Sequence, residues 1–342
     1  MPDSKTLSAN KKSWWRIGCL AVLLLPAVAA SRPPPLSIDE LRNREFAAQL
    51  TPVRQLAGGP GYKARLASYF SAGLKVHALL ATPDTGRPAS GFPMLVANHG
   101  HHPEPSRYGI TAQGHDARPG DYYRRIPELY TRHGFLVVMP DYRGHGDSEG
   151  IEYTEGMLES LYYTEDVLAL LPALSRLTEA DPDNLFMWGH SMGGEVTLRA
   201  LLATGRVRGA SLWSTVGGEI WDQAFYYSRY EDSLAVDGDG VPKDVVDRLE
   251  EDIAALDETF DWRGSEPLRH LQYLAAPLIL HHAQDDRGAP YHWSARLARE
   301  LYLRSHRYEF YSYAGADHLL RGAALEQAAE RDAVFFRSLM AP

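Results

Sequence analysis

A serine between two glycines is the first candidate for chemistry in this sequence of 342 residues. Residues 189–193 read Gly-His-Ser-Met-Gly and lie between an apolar run and a helix-like stretch. A serine hydroxyl is a weak nucleophile, so it needs a tight strand-to-helix turn that exposes Oγ beside a base and backbone N–H donors. Flanking glycines permit such a turn because they lack a Cβ. The pattern predicts Ser191 as a nucleophile; a serine that only caps a helix is the alternative.

A serine nucleophile of this kind needs an acid and a base, which follow it in that order at the ends of later strands. A buried-strand pattern at 277–280 leads into a loop that contains Asp285 and Asp286. The next strand pattern, at 308–313, ends in a glycine turn that is followed by His318. His318 is therefore the predicted base, and the acid lies in the preceding loop.

Together these motifs resemble the α/β-hydrolase superfamily, most closely its prolyl-oligopeptidase-like and dipeptidyl-peptidase-like serine hydrolases. The resemblance covers the chain from about residue 62 onward, and it also rests on Asn-His-Gly at 98–100 and on the glycine-rich run at 141–148. In such families the acid loop reads H-G-x-x-D-x-x-V-P, which aligns with 282–290 and implies Asp286 as the acid. Alanine replaces both the glycine and the valine of that pattern, so Asp285 stays as the alternative.

The resemblance also implies a role for each residue in acyl transfer. His318 takes the proton of Ser191 during attack and returns it to the leaving group, while Asp286 orients the imidazole. Two backbone N–H groups are expected to bind the oxyanion, those of Met192 and His101.

A histidine cluster allows a competing interpretation as a zinc site, because imidazole is a common zinc ligand. Its members are His99, His101, His102 and, farther along, His115. Close spacing on one loop does not make a tetrahedral site, and no cysteine lies nearby. We therefore expect no metal and no cofactor. The run at 141–148 matches no phosphate-binding fingerprint, and its Arg143 is expected to pair with a carboxylate below the site.

An alternation of strand and helix patterns must position these residues. Strands are predicted at 63–69, 76–82, 94–98, 136–139, 185–188, 210–214, 278–281 and 308–313, and helices at 122–133, 158–177, 195–204, 291–303 and 323–339. This order predicts an α/β-hydrolase fold with a mostly parallel eight-stranded sheet and helices on both faces. The domain is expected at 62–342, after a leader at 31–61 that contains a helix at 39–50.

The interval 216–271 interrupts that alternation. It contains many aromatic residues and a helix-like stretch at 244–256. One interpretation is a small cap after the sixth strand, whose Trp221, Phe225 and Tyr226 face the substrate. The other is a surface excursion whose aromatic residues pack on the sheet.

The first 30 residues show the pattern of a secretory signal peptide, with basic residues before a short apolar stretch that ends in small residues. We expect a secreted or periplasmic protein without stable membrane association after cleavage; an uncleaved signal anchor is the alternative. The only cysteine, Cys19, lies in this stretch. The net charge of −9 disfavours nucleic acid as a partner, and the oligomeric state is not predicted.

The expected activity is cleavage of a small ester or amide through an acyl-enzyme on Ser191, with a carboxylesterase as the main interpretation. Hydrolysis of short peptides, acyl transfer to an alcohol and a non-enzymatic binding role on the same scaffold are the alternatives. The length of the chain is expected to exclude the propeller domain of full prolyl oligopeptidases, which weighs against a peptidase.

Overall fold

The computed structural model describes residues 32–107, 123–154, 158–232 and 260–341, together with the isolated positions 247, 251 and 254. The predicted signal peptide lies outside the described residues, and so does the predicted helix at 244–256 apart from those three positions. Within the described ranges, no helix has the length and apolar character needed to cross a membrane.

A sheet of nine strands organises the described part of the chain. The strands are β1 Thr51–Gly59, β2 Tyr62–Ser71, β3 Leu74–Pro83, β4 Phe92–Asn98, β5 Leu136–Pro140, β6 Ala180–His190, β7 Gly209–Trp213, β8 Leu278–Ala283 and β9 Tyr308–Tyr313. Their order across the sheet is β1-β2-β3-β5-β4-β6-β7-β8-β9. The first four of these strands pair antiparallel, and every pairing from β5 to β9 is parallel. The predicted fold class is confirmed, although the sheet has nine strands and not eight.

The extra strand, β1, lies at the edge of the sheet. Its residues are mostly exposed, so no apolar alternation marks it in the sequence. Pro52 and two terminal glycines also disfavour a strand assignment. The pairing of β1 with β2 shifts register beside Pro52, as expected where a proline cannot donate a backbone hydrogen bond. Sequence patterns that detect buried strands therefore miss this one.

The predicted leader helix is shorter than expected. The structure contains only α1, Ile38–Asn43, which begins with a capping box between Ser37 and Glu40. Farther along, Phe46, Ala48 and Leu50 pack on the core. Contacts at every second residue suit an extended chain and not a helix, so the prediction of a helix through residue 50 was wrong.

Helices cover both faces of the sheet. Beyond α1 they are α2 Ile126–Thr131, α3 Glu159–Leu174, α4 Met192–Ala203, α5 Ile220–Asp232, α6 Tyr291–Leu303 and α7 Ala323–Arg337, with 3-10 turns at Pro105–Arg107, Ile151–Tyr153, Arg263–Ser265 and Pro267–Tyr273. Helices α1, α3, α4 and α6 contribute to the core on one face, whereas α2 and α7 contribute to the other. Alternate residues of each central strand, such as Val96 and Ala97 of β4, enter opposite cores.

A buried ion pair anchors the loop after β5 to α3. Arg143 Nη2 lies 2.6 Å from Asp166 Oδ1 and 2.8 Å from Glu165 Oε2, and Asp166 also accepts the backbone N–H of Arg143 at 2.8 Å. Burial alone would lower the pKa of Arg143, but the two carboxylates raise it. The expected pairing of Arg143 with a carboxylate is present.

We expect Arg143→Met to lower the free energy of unfolding by about 3–5 kcal/mol, because the substitution leaves the buried Asp166 carboxylate without a counter-charge. Urea denaturation of the purified protein measures this loss. Arg107→Met is the matched control, since Arg107 forms an exposed pair with Glu104, and such pairs contribute at most about 1 kcal/mol. Equal losses in the two variants would contradict the prediction.

Candidate active site

Ser191 occupies a sharp turn between β6 and α4. Its φ of 56° lies in the left-handed region, which is strained for a residue with a side chain. The turn brings backbone segments too close for a Cβ at either glycine of the motif. On Gly193 a Cβ would overlap the carbonyl oxygens of Asn98 and His99, and on Gly189 it would overlap the Gly193 carbonyl. The turn therefore presents Ser191 from a fixed position, as the motif requires.

Three side chains that are distant in sequence meet at this turn. His318 Nε2 lies 2.9 Å from Ser191 Oγ, and His318 Nδ1 lies 2.8 Å from Asp286 Oδ2. The adjacent parallel strands β8 and β9 end at the same sheet edge, which places the two loops side by side. Since a carboxylate only accepts, Nδ1 carries the proton and Nε2 accepts from the serine hydroxyl. This geometry can move the serine proton to the imidazole.

The Asp286 carboxylate is held by several donors. Oδ1 accepts the backbone N–H groups of Gly288 at 2.8 Å and Ala289 at 3.1 Å. Oδ2 accepts from His318 and lies 3.3 Å from His282 Nε2. Burial alone would raise the pKa of Asp286, but hydrogen bonds from His282 and His318 and the backbone hold it well below its usual range. The carboxylate therefore stays ionised.

The alternative acid is not part of this cluster. Asp285 is exposed to solvent, whereas the side chain of Asp286 has no exposed surface. The structure thus brings Asp286, and not Asp285, to the imidazole of His318.

His282 also contacts Asp286, although the sequence assigned it no role beyond the first position of the acid-loop motif. Its Nε2 lies 2.9 Å from the carbonyl oxygen of Ala289, and its Nδ1 lies 2.6 Å from Ser294 Oγ. Because a carbonyl only accepts, Nε2 carries the proton, which it shares with Asp286. A histidine four residues before the acid, at the end of a buried strand, was the available signal.

The backbone segments that carry the two expected oxyanion donors lie next to Ser191. Met192 is the first residue of α4, so its N–H has no partner within that helix. Across from it, the loop that begins at His99 approaches so closely that a Cβ on Gly100 would lie 3.0 Å from Ser191 Cβ. His101 follows in this loop. The structure therefore places both backbone segments beside the serine.

The imidazole of His101 points to α3. Its Nδ1 lies 2.6 Å from Glu159 Oε1, and 47% of the side chain is exposed. Desolvation lowers the pKa of His101, but the charge and hydrogen bond of Glu159 outweigh it and raise the pKa above its ordinary value. The contact with Glu159 therefore favours the protonated form of this imidazole.

The other histidines of the loop have separate partners. His99 Nδ1 lies 2.8 Å from the carbonyl oxygen of Gly100, and His102 Nδ1 accepts the backbone N–H of Glu104 at 3.1 Å. His115 lies outside the described residues. In the part of the chain that the structure describes, no group of three or more His, Cys, Asp or Glu side chains could hold a metal ion.

Helix α5 flanks the loop that carries Asp286. The hydroxyl groups of Tyr226 and Tyr227 donate to backbone carbonyls of this loop at 2.7 and 3.2 Å. Trp221 and Phe225, on the same helix, are half-buried. The first part of the predicted cap thus lies against the acid loop, and Tyr226 braces that loop through its hydroxyl group.

Two more residues lie directly behind the serine. Tyr123 and His190 are 4% and 2% exposed, and their side chains are hydrogen-bonded to each other. Sequence reasoning assigned a role to neither. His190 could have been noticed as a member of the serine motif, whereas Tyr123 stands at the start of a helix pattern without any distinguishing signal.

Comparison with known proteins places the chain in a family. The sequence model of the prolyl oligopeptidase family matches residues 122–341. Lysophosphatidylserine lipase ABHD12 of Rattus norvegicus is 25% identical over 224 residues, which cover 63% of this chain and 46% of that protein. The chain spans just under half the length of the curated relatives that it matches.

Solved structures agree on the fold. Acylaminoacyl peptidase of Pyrococcus horikoshii has a TM-score of 0.60 and 18% identity, over 82% of this chain and 42% of that chain. Acetyl xylan esterase 1 from Thermoanaerobacterium sp. JW/SL YS485 has a TM-score of 0.58 and 16% identity, over 89% of this chain and 95% of that chain. At these identities the likeness establishes an α/β-hydrolase fold and no more.

The family match covers more than half of the chain and includes the nucleophile turn, the acid loop and the loop of His318. The resemblance predicted from the motifs is thereby confirmed, and the chain belongs to the prolyl oligopeptidase family of serine hydrolases.

Proposed function

We propose that this protein cleaves small carboxylic esters through an acyl-enzyme on Ser191, without a metal or cofactor. The observation that carries the proposal is the pair of hydrogen bonds made by one imidazole, at 2.9 Å to Ser191 Oγ and 2.8 Å to Asp286 Oδ2. This arrangement provides a nucleophile, a base and an orienting carboxylate in hydrogen-bond contact.

In the proposed mechanism, Ser191 Oγ attacks the ester carbonyl carbon while its proton passes to His318 Nε2. The N–H groups of Met192 and His101 bind the resulting oxyanion. His318 then gives the proton to the departing alkoxide, which leaves an acyl-enzyme. Water attacks the acyl group by the same route, and Asp286 stays ionised throughout because its pKa lies well below the usual range.

Preference for esters is supported by six of the curated relatives, which are named lysophosphatidylserine lipase ABHD12. We place the substrate beside α5, with Trp221, Phe225 and Tyr226 near its acyl or alcohol group. The apolar pattern of the first 30 residues supports export to the periplasm or the medium.

Hydrolysis of short peptides is the second candidate, because the matching family and several structural neighbours are named as peptidases. The same groups can act on an amide, since His318 can protonate a departing amine. Transfer of the acyl group to an alcohol would use the same acyl-enzyme, and competition by methanol in a product assay detects it.

Labelling tests the nucleophile. We expect a fluorophosphonate probe to modify the wild-type protein covalently and Ser191→Ala to show neither labelling nor ester turnover, because the variant has lost the attacking oxygen. Gel fluorescence and peptide mass spectrometry locate the modified residue. Ser305→Ala serves as a control, because this serine lies in the turn after α6 and its loss leaves the site intact. A wild-type protein that neither labels nor turns over esters would favour a binding role.

Substitution of each of two adjacent aspartates tests which of them acts as the acid of the triad. We expect Asp286→Ala to lower kcat by about 10³- to 10⁴-fold, because the imidazole loses the carboxylate that fixes its tautomer. Asp285→Ala should stay within about threefold of wild type, as is usual for an exposed residue. Steady-state kinetics on p-nitrophenyl acetate measures both variants. The reverse order would reassign the acid to Asp285.

Esters and anilides differ in intrinsic reactivity, so a test of substrate preference must correct for their rates of spontaneous hydrolysis. We expect kcat/KM, divided by the rate constant of spontaneous hydrolysis, to be larger for p-nitrophenyl acetate and butyrate than for aminoacyl-p-nitroanilides. An esterase stabilises the transition state for ester cleavage more strongly than the transition states for cleavage of other acyl compounds. A larger normalised value for the anilides would favour the peptidase interpretation.

A further inference from the structure

A continuous hydrogen-bond chain runs behind the nucleophile. The backbone N–H of Gly100 lies 2.8 Å from Tyr123 Oη. That oxygen lies 2.7 Å from His190 Nδ1, and His190 Nε2 lies 2.8 Å from the carbonyl oxygen of His318. This series of hydrogen bonds therefore begins in the loop next to Ser191 and ends on the backbone of His318, whose imidazole is the proposed base.

With a neutral His190 ring, the donor and the acceptor of each of these hydrogen bonds are defined. A carbonyl oxygen only accepts, so His190 Nε2 carries a proton and donates it to His318. The neutral ring then accepts at Nδ1, which requires Tyr123 to donate its hydroxyl proton. The Tyr123 oxygen in turn accepts the N–H of Gly100. A second proton on His190 would make Nδ1 a donor and reverse its hydrogen bond with Tyr123.

The surroundings keep His190 in the required state. Burial, and next the nearby His318, lower the pKa of His190 to about 3, so the ring is neutral near pH 7. Tyr123 contacts the ring of His190 at a centroid separation of 5.5 Å and that of Trp188 at 6.0 Å. These contacts fix the position of the hydroxyl group as well as its direction.

We infer that Tyr123 and His190 are positioning residues for the reaction, which connect the oxyanion loop to the backbone of the base. This inference rests on the proposed function of Ser191. Neither residue is accessible to a substrate, at 4% and 2% exposure, so both act through their neighbours. Tyr123 fixes Gly100 and thereby the adjacent N–H of His101, while His190 fixes the loop that presents the imidazole of His318.

Loss of the Tyr123 hydroxyl would leave a buried N–H on Gly100 without its acceptor, which is unfavourable. The loop can recover that bond only by moving, and it lies against the nucleophile. Because a displacement of about 1 Å in a reacting group can reduce turnover about 100-fold, the effect should appear in the transition state and not in binding of the substrate.

The test uses Tyr123→Phe in the full-length protein. We expect kcat for p-nitrophenyl acetate to fall about 10- to 100-fold with KM within about threefold. Phenylboronic acid, which forms a tetrahedral adduct with a serine nucleophile, should bind more weakly by the same factor as kcat/KM. A residue that only supports the fold would lower the melting temperature without this parallel loss.

Tyr130→Phe is the matched control. Tyr130 is fully buried, and its hydroxyl donates to Asp332 Oδ2 at 2.5 Å, so the variant also removes one buried hydrogen bond. It should lower the melting temperature and leave kcat and phenylboronic acid affinity unchanged. If Tyr123→Phe behaves like Tyr130→Phe, the inference is wrong.

Variants of His190 separate the two halves of the chain and keep the inference testable if Tyr123→Phe does not fold. In His190→Asn the side-chain oxygen can replace Nδ1 as acceptor for Tyr123, whereas in His190→Gln the side-chain amide can replace only the donor to His318. We expect His190→Asn to retain phenylboronic acid affinity better than His190→Gln. Equal affinities in the two variants, or the reverse order, would overturn the inference.

Failure of the inference is distinguishable from failure of the proposed function. If Ser191→Ala abolishes labelling and turnover but Tyr123→Phe keeps wild-type kcat, only the inference fails. If Ser191→Ala keeps wild-type turnover, the proposed nucleophile is wrong and both fail.

Discussion

The close approach of backbone segments around Ser191 is the constraint on which the site depends. Helix α4 begins immediately after a residue with positive φ, and Gly193 contacts carbonyl groups at the end of β4 so closely that no side chain fits there. This contact holds the first residue of the helix and the loop after β4 beside Ser191. The parallel order of β6, β7, β8 and β9 then brings Asp286 and His318 to the same sheet edge.

The strands and site residues that could be predicted from the sequence are those marked by a local hydrophobic pattern or motif. All eight predicted strands are present. Central strands such as β5, β7 and β8 are buried on both faces and appear as apolar runs, whereas the edge strand β9 alternates aromatic and polar residues. Ser191, Asp286 and His318 each come just after the end of a predicted strand. Parallel strands end at the same sheet edge, so the structure brings these residues together. The edge strand β1 and the extended segment around Phe46 lack such patterns, since they contact the core only in part.

The residues that sequence reasoning missed are those whose partners are far away in the chain. Tyr123 bonds to Gly100 and His190, 23 and 67 residues away. His282 is closer to its acid in sequence, but its contact depends on how the loop after β8 folds back. Neither residue type nor spacing encodes such contacts, because they arise only when distant segments pack.

Four imidazoles around the site differ in behaviour because their partners differ. His190 and His282 each face a backbone carbonyl, which fixes the proton on Nε2, whereas His318 faces a carboxylate at Nδ1, which leaves Nε2 to accept. His101 instead pairs with Glu159. An acceptor at one ring nitrogen therefore fixes the tautomer, and in His101 the carboxylate also raises the pKa.

The hydroxyl groups of Tyr226 and Tyr227 bind carbonyls of the loop that holds Asp286. This link has a consequence for redesign of the enzyme. In the proposed function Tyr226 lies beside the substrate, so a substitution there that alters selectivity would also remove one of the hydrogen bonds that restrain the acid loop. Libraries that retain a hydroxyl-bearing side chain there, or that add a compensating brace to the loop, would allow selectivity to be altered separately from catalytic power.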